Sequence, residues 1–196
     1  MIIEFYFDFG SPTAYLAHWH LGKLKNKYSM DLVHRPMLLG GIFKATGNAP
    51  PAAVPAKGVY MTQDLERFAQ RYGAPLKFNP HFPVNTLGPM RGFYVARSLE
   101  QESVYLDAMF NAMWVQEKNM ADAEVFASTL SDAGLDAAAF AEKIGTPDVK
   151  QALIEDTESA VARGVFGAPT FFIGEEMFFG QDRLDFIEER LIAAMQ

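Results

Sequence analysis

Three short stretches of this sequence combine residue types that could do chemistry. The first is Gly10-Ser11-Pro12, which follows the aromatic run Phe5–Phe9. Pro12 suits the first position of a helix, because its φ is already helical and its missing N–H would have no partner there. Ser11 then occupies the N-cap, where its hydroxyl can reach the first free amides. A helix N-terminus also stabilises a nearby negative charge, which makes this serine more than a structural stop. The second stretch is Phe166-Gly-Ala-Pro-Thr170. A proline just before an apolar strand cannot donate to the ladder, so Pro169 belongs at the strand's first residue or on an edge. The third is Gly180-Gln-Asp-Arg183, where Asp182 is placed to N-cap the last helix. A capping Asp and its neighbours can also bind the amino and carboxylate groups of a ligand. Each stretch alone reads as ordinary local structure, and they become informative only if one fold brings them together.

The composition narrows what that chemistry can be. The chain of 196 residues has no cysteine, so it supplies no disulfide, thiolate metal site or thiol nucleophile. Any sulfur chemistry must come from a ligand. The four histidines, His18, His20, His34 and His81, form no cluster by spacing: His18 and His20 do not share a helix face. No metal is expected. A net charge of -7 argues against nucleic acid or an anionic membrane as partner. No run of eighteen apolar residues exists, and the first residues lack the basic region of a secretory signal. The expectation is a soluble cytoplasmic protein.

The elements that must position the three stretches follow from the pattern. Ile2–Phe7 reads as a buried strand, Pro12–Tyr28 as a helix and Asp31–Met37 as a second strand, a right-handed βαβ unit. Leu38–Gly58 is broken by Gly40, Gly41, Gly47, Pro50, Pro51 and Pro55, which predicts a long ordered loop with at most a helical turn at Ile42–Lys44. From Met61 to about Arg163 nearly everything keeps helical spacing. After Gly164, a strand, a hairpin turn at Gly174-Glu175-Glu176, a returning strand and the helix Leu184–Ala194 make a ββα unit. The fold class is therefore α/β, a thioredoxin-like βαβ…ββα fold interrupted by an all-helical insertion. Residues 1–58 and 165–196 would form the thioredoxin-like domain, and residues 59–164 the insertion.

Taken together, FYFDFGSPTAYLA at Phe5–Ala17, LLGGIFKATGN at Leu38–Asn48, FGAPTFFIG at Phe166–Gly174 and GQDRLDFIEE at Gly180–Glu189 resemble the 2-hydroxychromene-2-carboxylate isomerases. These are relatives of the kappa-class glutathione transferases and of the DsbA-like oxidoreductases. The resemblance spans essentially the whole chain. It implies that Ser11-Pro-Thr-Ala14 stands where the oxidoreductases carry Cys-Pro-x-Cys, so dithiol exchange is excluded and the serine serves the thiolate of bound glutathione. It further implies a cis Ala168–Pro169 bond, glutathione contacts from Ala168, Pro169, Gln181, Asp182 and Arg183, and a homodimer. The implied substrate is a small aromatic anion, opened to trans-o-hydroxybenzylidenepyruvate. Lys44, Asn48, Asn85 and Arg91 are candidate substrate-binding residues, with Phe43, Phe82 and Met90 as apolar walls. Two other readings remain: a kappa-like transferase that conjugates electrophiles, and a cysteine-free thioredoxin-fold binding protein. The Gly-Gln-Asp-Arg stretch speaks against the last.

Overall fold

Strand β1 (Ile2–Phe7) lies inside a four-stranded sheet, in a computed structural model that describes residues 1–195. It pairs in parallel with β2 (Asp31–Pro36), Ile2 opposite Asp31 and Phe7 opposite Pro36. On its other side runs β3 (Thr170–Ile173), antiparallel, with Phe5 opposite Phe171. β4 (Glu176–Phe179) closes a hairpin with β3, so the order is β2-β1-β3-β4. Helix α1 (Pro12–Lys27) makes the crossover from β1 to β2, and α9 (Leu184–Ala193) follows the hairpin. This is the DsbA-like thioredoxin arrangement of βαβ and ββα.

Between the two halves lie α2 (Leu39–Thr46), a 3-10 turn at Pro51–Ala53, α3 (Pro55–Tyr72), α4 (Leu87–Ser98), α5 (Glu102–Trp114), α6 (Ala123–Asp132), α7 (Ala137–Lys143) and α8 (Pro147–Ala162). Side chains alternate across β1, which decides what covers each face. Ile3, Phe5 and Phe7 enter the larger core beside Leu16 of α1, Phe93 of α4 and Phe110 of α5, all fully buried. Tyr6 and Phe172 turn to the opposite face, against Met37, Ile42, Ala160 and Val165. Rings carry the first core through the helical block: Phe7 meets Phe93 at 5.4 Å and Phe9 meets Phe110 at 4.9 Å, both edge-on. Among the described residues, no helix is long and apolar enough to cross a membrane.

Two local expectations are corrected. Most of the segment after Leu38 is helical: α2 occupies Leu39–Thr46, and α3 begins at Pro55, six residues before Met61. Two glycines disfavour a helix by about 1 kcal/mol each. Tertiary contacts override that preference, because Ile42 is fully buried and the Leu39 amide donates to Asp8 Oδ2 at 2.8 Å. Asp182, in turn, does not cap the last helix. Gln181–Arg183 is a 3-10 turn, α9 starts at Leu184 without a side-chain cap, and the Asp182 carboxylate instead pairs with Arg183 at 2.5 Å.

Candidate active site

Ser11 sits at the N-cap of α1 as its sequence context dictates, accepting from the Ala14 amide at 3.1 Å. Ser11 is only 4% exposed, yet it lines a cavity. Thr13 Oγ1 lies 2.8 Å from Ser11 Oγ, and both hydroxyls can donate to the Ala168 carbonyl, Thr13 at 3.2 Å and Ser11 at 3.4 Å. The Ser11 bond is at the outer limit for an O–H donor. With Thr13 donating to Ala168, the single Ser11 proton points to Thr13 Oγ1, from which it can swing to a stronger acceptor brought to the helix N-terminus.

The Ala168–Pro169 bond is cis and faces α1 across this gap. From Pro169 the carbonyl accepts the Gly180 amide at 2.9 Å, which brings the 180–183 turn to the same place. Gly180 has φ +101, and a Cβ there would overlap the Asp182 carboxylate, so the turn requires glycine. Ser11, Ala168, Pro169, Gly180, Gln181 and Asp182 therefore line one cavity of about 1080 Å³. The first stretch, 157 residues before Ala168, has been gathered with the other two into a single site.

A DsbA-like thioredoxin domain model matches residues 2–192. Along its whole length the chain is similar to the 2-hydroxychromene-2-carboxylate isomerase of Pseudomonas putida, at 36% identity over 97% of this chain and 94% of that protein. The chain belongs to the 2-hydroxychromene-2-carboxylate isomerase family. Human glutathione S-transferase kappa 1 is 30% identical over 96% of this chain and 90% of its own. A solved 2-hydroxychromene-2-carboxylate isomerase structure superposes with a TM-score of 0.91 at 32% identity, covering 100% of this chain and 96% of that one.

The other candidates of this family member divide between two cavities. Asn48 and Asn85 line the Ser11 cavity, with Phe43 and Phe82 as apolar wall. The Asn48 amide is already engaged, donating to the Phe166 carbonyl at 2.8 Å. Lys44 and Arg91 line a second cleft of about 480 Å³ on the far side of α2, beside Leu38, Gly41 and Lys150. Helix α2 is the partition: Gly40 and Phe43 face the Ser11 cavity, Gly41 and Lys44 the second cleft. Met90 is fully buried, with its sulfur against the Phe9 amide at 3.4 Å, and is a core residue rather than a wall. Arg183 does not line the cavity; it holds the Asp182 carboxylate at the rim.

Sequence reasoning missed Asp8, Thr13, Thr86 and Phe179. Asp8 lines the cavity but is 2% exposed, and it accepts from the Gly10 amide at 2.9 Å, the Thr86 hydroxyl at 2.7 Å and the Leu39 amide at 2.8 Å. Burial pushes its carboxyl above the usual range, against the pull of those three donors. An acid inside an otherwise apolar strand end was the available signal. Phe179 packs at a tilt against Phe166, centroids 4.5 Å apart, on the cavity wall over Gly167, where a Cβ would approach the ring to 2.9 Å.

Proposed function

We propose that this protein is a glutathione-dependent isomerase that opens 2-hydroxychromene-2-carboxylate-type substrates to trans-o-hydroxybenzylidenepyruvate. The observation that carries the reading is the convergence of Ser11, the cis Ala168–Pro169 bond and the Gln181-Asp182 turn on one cavity. Those residues fit glutathione. Ala168, before the proline, offers its backbone N–H to a peptide-like ligand, Pro169 packs beside it, and Asp182 offers a carboxylate for an α-amino group. Bound glutathione would supply the thiolate nucleophile that a cysteine-free chain lacks.

The chain's own groups then have separable tasks. Ser11 would turn its proton from Thr13 to the sulfur, and the α1 N-terminus would add a positive potential there, both favouring the ionised thiol. Thr13 supports this by taking over the Ala168 carbonyl. Phe43, Phe82, Phe166 and Phe179 provide the apolar and aromatic surface a flat ring system needs, while Asn48 and Asn85 are the polar groups within reach of its oxygens. Lys44 and Arg91 line the separate cleft beyond α2 and have no part in this reading.

Ser11→Ala removes one donor and leaves the fold intact. Its expected effects are a loss of turnover of roughly 10²-fold or more and a higher pKa of the bound thiol. A spectrophotometric assay of chromene opening, with and without glutathione, tests the reading directly, and thiolate absorbance against pH tests the role of Ser11. Activity indifferent to glutathione would remove the cofactor from the mechanism. The kinship with kappa-class transferases supports a second reading, conjugation of an electrophile at the same serine. A stable glutathione adduct released into solution would select it.

A further inference from the structure

Tyr72 ends helix α3 and is 3% exposed, yet its hydroxyl is not idle. It donates to the Gln181 backbone carbonyl at 2.8 Å, across 109 residues of chain. The ring is fixed from two sides. His20 of α1 stacks on it at 4.1 Å and 13° between planes, and Phe68 tilts against it at 5.6 Å. Its backbone is fixed as well, because the Tyr72 carbonyl accepts from Trp19 Nε1 at 3.2 Å and from Lys23 Nζ. Burial holds His20 below its ordinary pKa, so the ring that stacks on Tyr72 is kept neutral.

The 180–183 turn is therefore held from two directions. Pro169 fixes Gly180 from the β3 side, and Tyr72 fixes Gln181 from the α3 side. Nothing caps the turn from within, since neither its 3-10 segment nor α9 has a side-chain N-cap. Helix α3 also lines the cavity through Lys57, Gly58, Met61, Thr62 and Leu65. One helix thus walls the cavity along its length and sets the Gln181 turn at its end.

We infer that Tyr72 is a positioning residue for glutathione binding, acting through the Gln181 carbonyl to hold the Gln181-Asp182 turn in its ligand-accepting shape. The inference rests on the glutathione reading above and adds to it a residue that does not line the cavity. A loosened turn would have to be ordered by the ligand, which lowers affinity without altering Ser11.

The test is calorimetric titration of glutathione into the full-length wild type, Tyr72→Phe and Tyr94→Phe. Tyr72→Phe deletes one oxygen and keeps the stacked ring. Tyr94→Phe deletes a comparable hydroxyl, bonded to Asp156 of α8 at 2.7 Å, on a residue that does not line the Ser11 cavity. Tyr72→Phe should raise the glutathione Kd and KM about three- to tenfold, the range one lost hydrogen bond supplies, with kcat at saturating glutathione within about twofold. Tyr94→Phe should lower thermal stability and leave Kd unchanged. A wild-type Kd in Tyr72→Phe, or an equal rise in both variants, overturns the inference while leaving the glutathione reading in place. No glutathione binding by the wild type overturns both.

Discussion

Asp8 shows how one side chain can set the shape of this site. Its carboxylate meets three donors from three segments: the Ser11 turn, the first amide of α2 and the residue that precedes α4. Asn in its place offers one acceptor oxygen and directs an N–H₂ group at donors. At least one buried donor then loses its partner, which costs about 1–3 kcal/mol. Asp8→Asn should accordingly shift the urea midpoint to lower concentration. The pH dependence has a definite sign. Burial raises the native pKa above the unfolded value of 3.8, so the native state binds the proton more tightly between the two values. Stability from this group is full below about pH 4 and declines as pH rises through the native titration. Over that range the wild type should lose stability relative to Asp8→Asn as pH rises, which urea midpoints of the two proteins measure.

Helix α2 is held at both ends by residues outside it. Asp8 caps its first amide, and Gly47 with φ +72 ends it, after which Asn48 reaches back to the Phe166 carbonyl. Asn48→Asp replaces that donor by a carboxylate facing a carbonyl oxygen. The strap between α2 and the Phe166–Pro169 segment is lost, and kcat/KM for the chromene substrate should fall roughly tenfold, with little change in melting temperature. An unchanged kcat/KM would reduce the contact to an incidental surface bond. The same helix marks where the sequence was legible and where it was not. Elsewhere, Ser11 at the N-cap of α1 and Pro169 just before β3 follow from local rules, because proline and serine carry their constraints within a few residues. Gly40 and Gly41 carried the opposite signal, since the groups that stabilise α2 are Asp8 and the buried surface around Ile42, distant in sequence. Asp182 misled for a similar reason: its partner is Arg183, and the turn is held by Tyr72 from 109 residues away. The division of Lys44 and Asn48 between two cavities depends on which face of α2 meets α8, which no local pattern encodes.

At the scale of the molecule, the sheet and the helical block share one core and are also joined by charge. Trp114 of α5 donates through Nε1 to the Phe9 carbonyl at 2.8 Å, just upstream of Ser11, so the helical block supports the serine turn from beneath. On the other side of the sheet, Glu4 of β1 accepts from Arg35 of β2 and from Arg163, which follows α8, each at 2.7 Å. The Arg163 guanidinium also lies 3.9 Å from the centroid of the Phe172 ring on β3 and bonds the Tyr6 hydroxyl at 2.7 Å. Three strands and the end of the last insertion helix thus meet at a single half-buried carboxylate. Burial alone would raise the Glu4 pKa, but the hydrogen bonds and charges of Arg163 and Arg35 outweigh it and hold it below the ordinary 4.5. Its contribution is therefore complete above the unfolded pKa and is lost as pH falls through the lowered native value. Glu4→Gln keeps the size of the side chain and removes the charge, leaving Arg163 beside two aromatic rings with a weaker acceptor. The expected cost near neutral pH is about 1–3 kcal/mol, discounted for partial exposure of both arginines. Urea midpoints of wild type and Glu4→Gln should differ at neutral pH and converge as the solution is acidified below the native Glu4 titration. A difference that persists unchanged into acid would mean that shape, not charge, is what Glu4 provides at this junction.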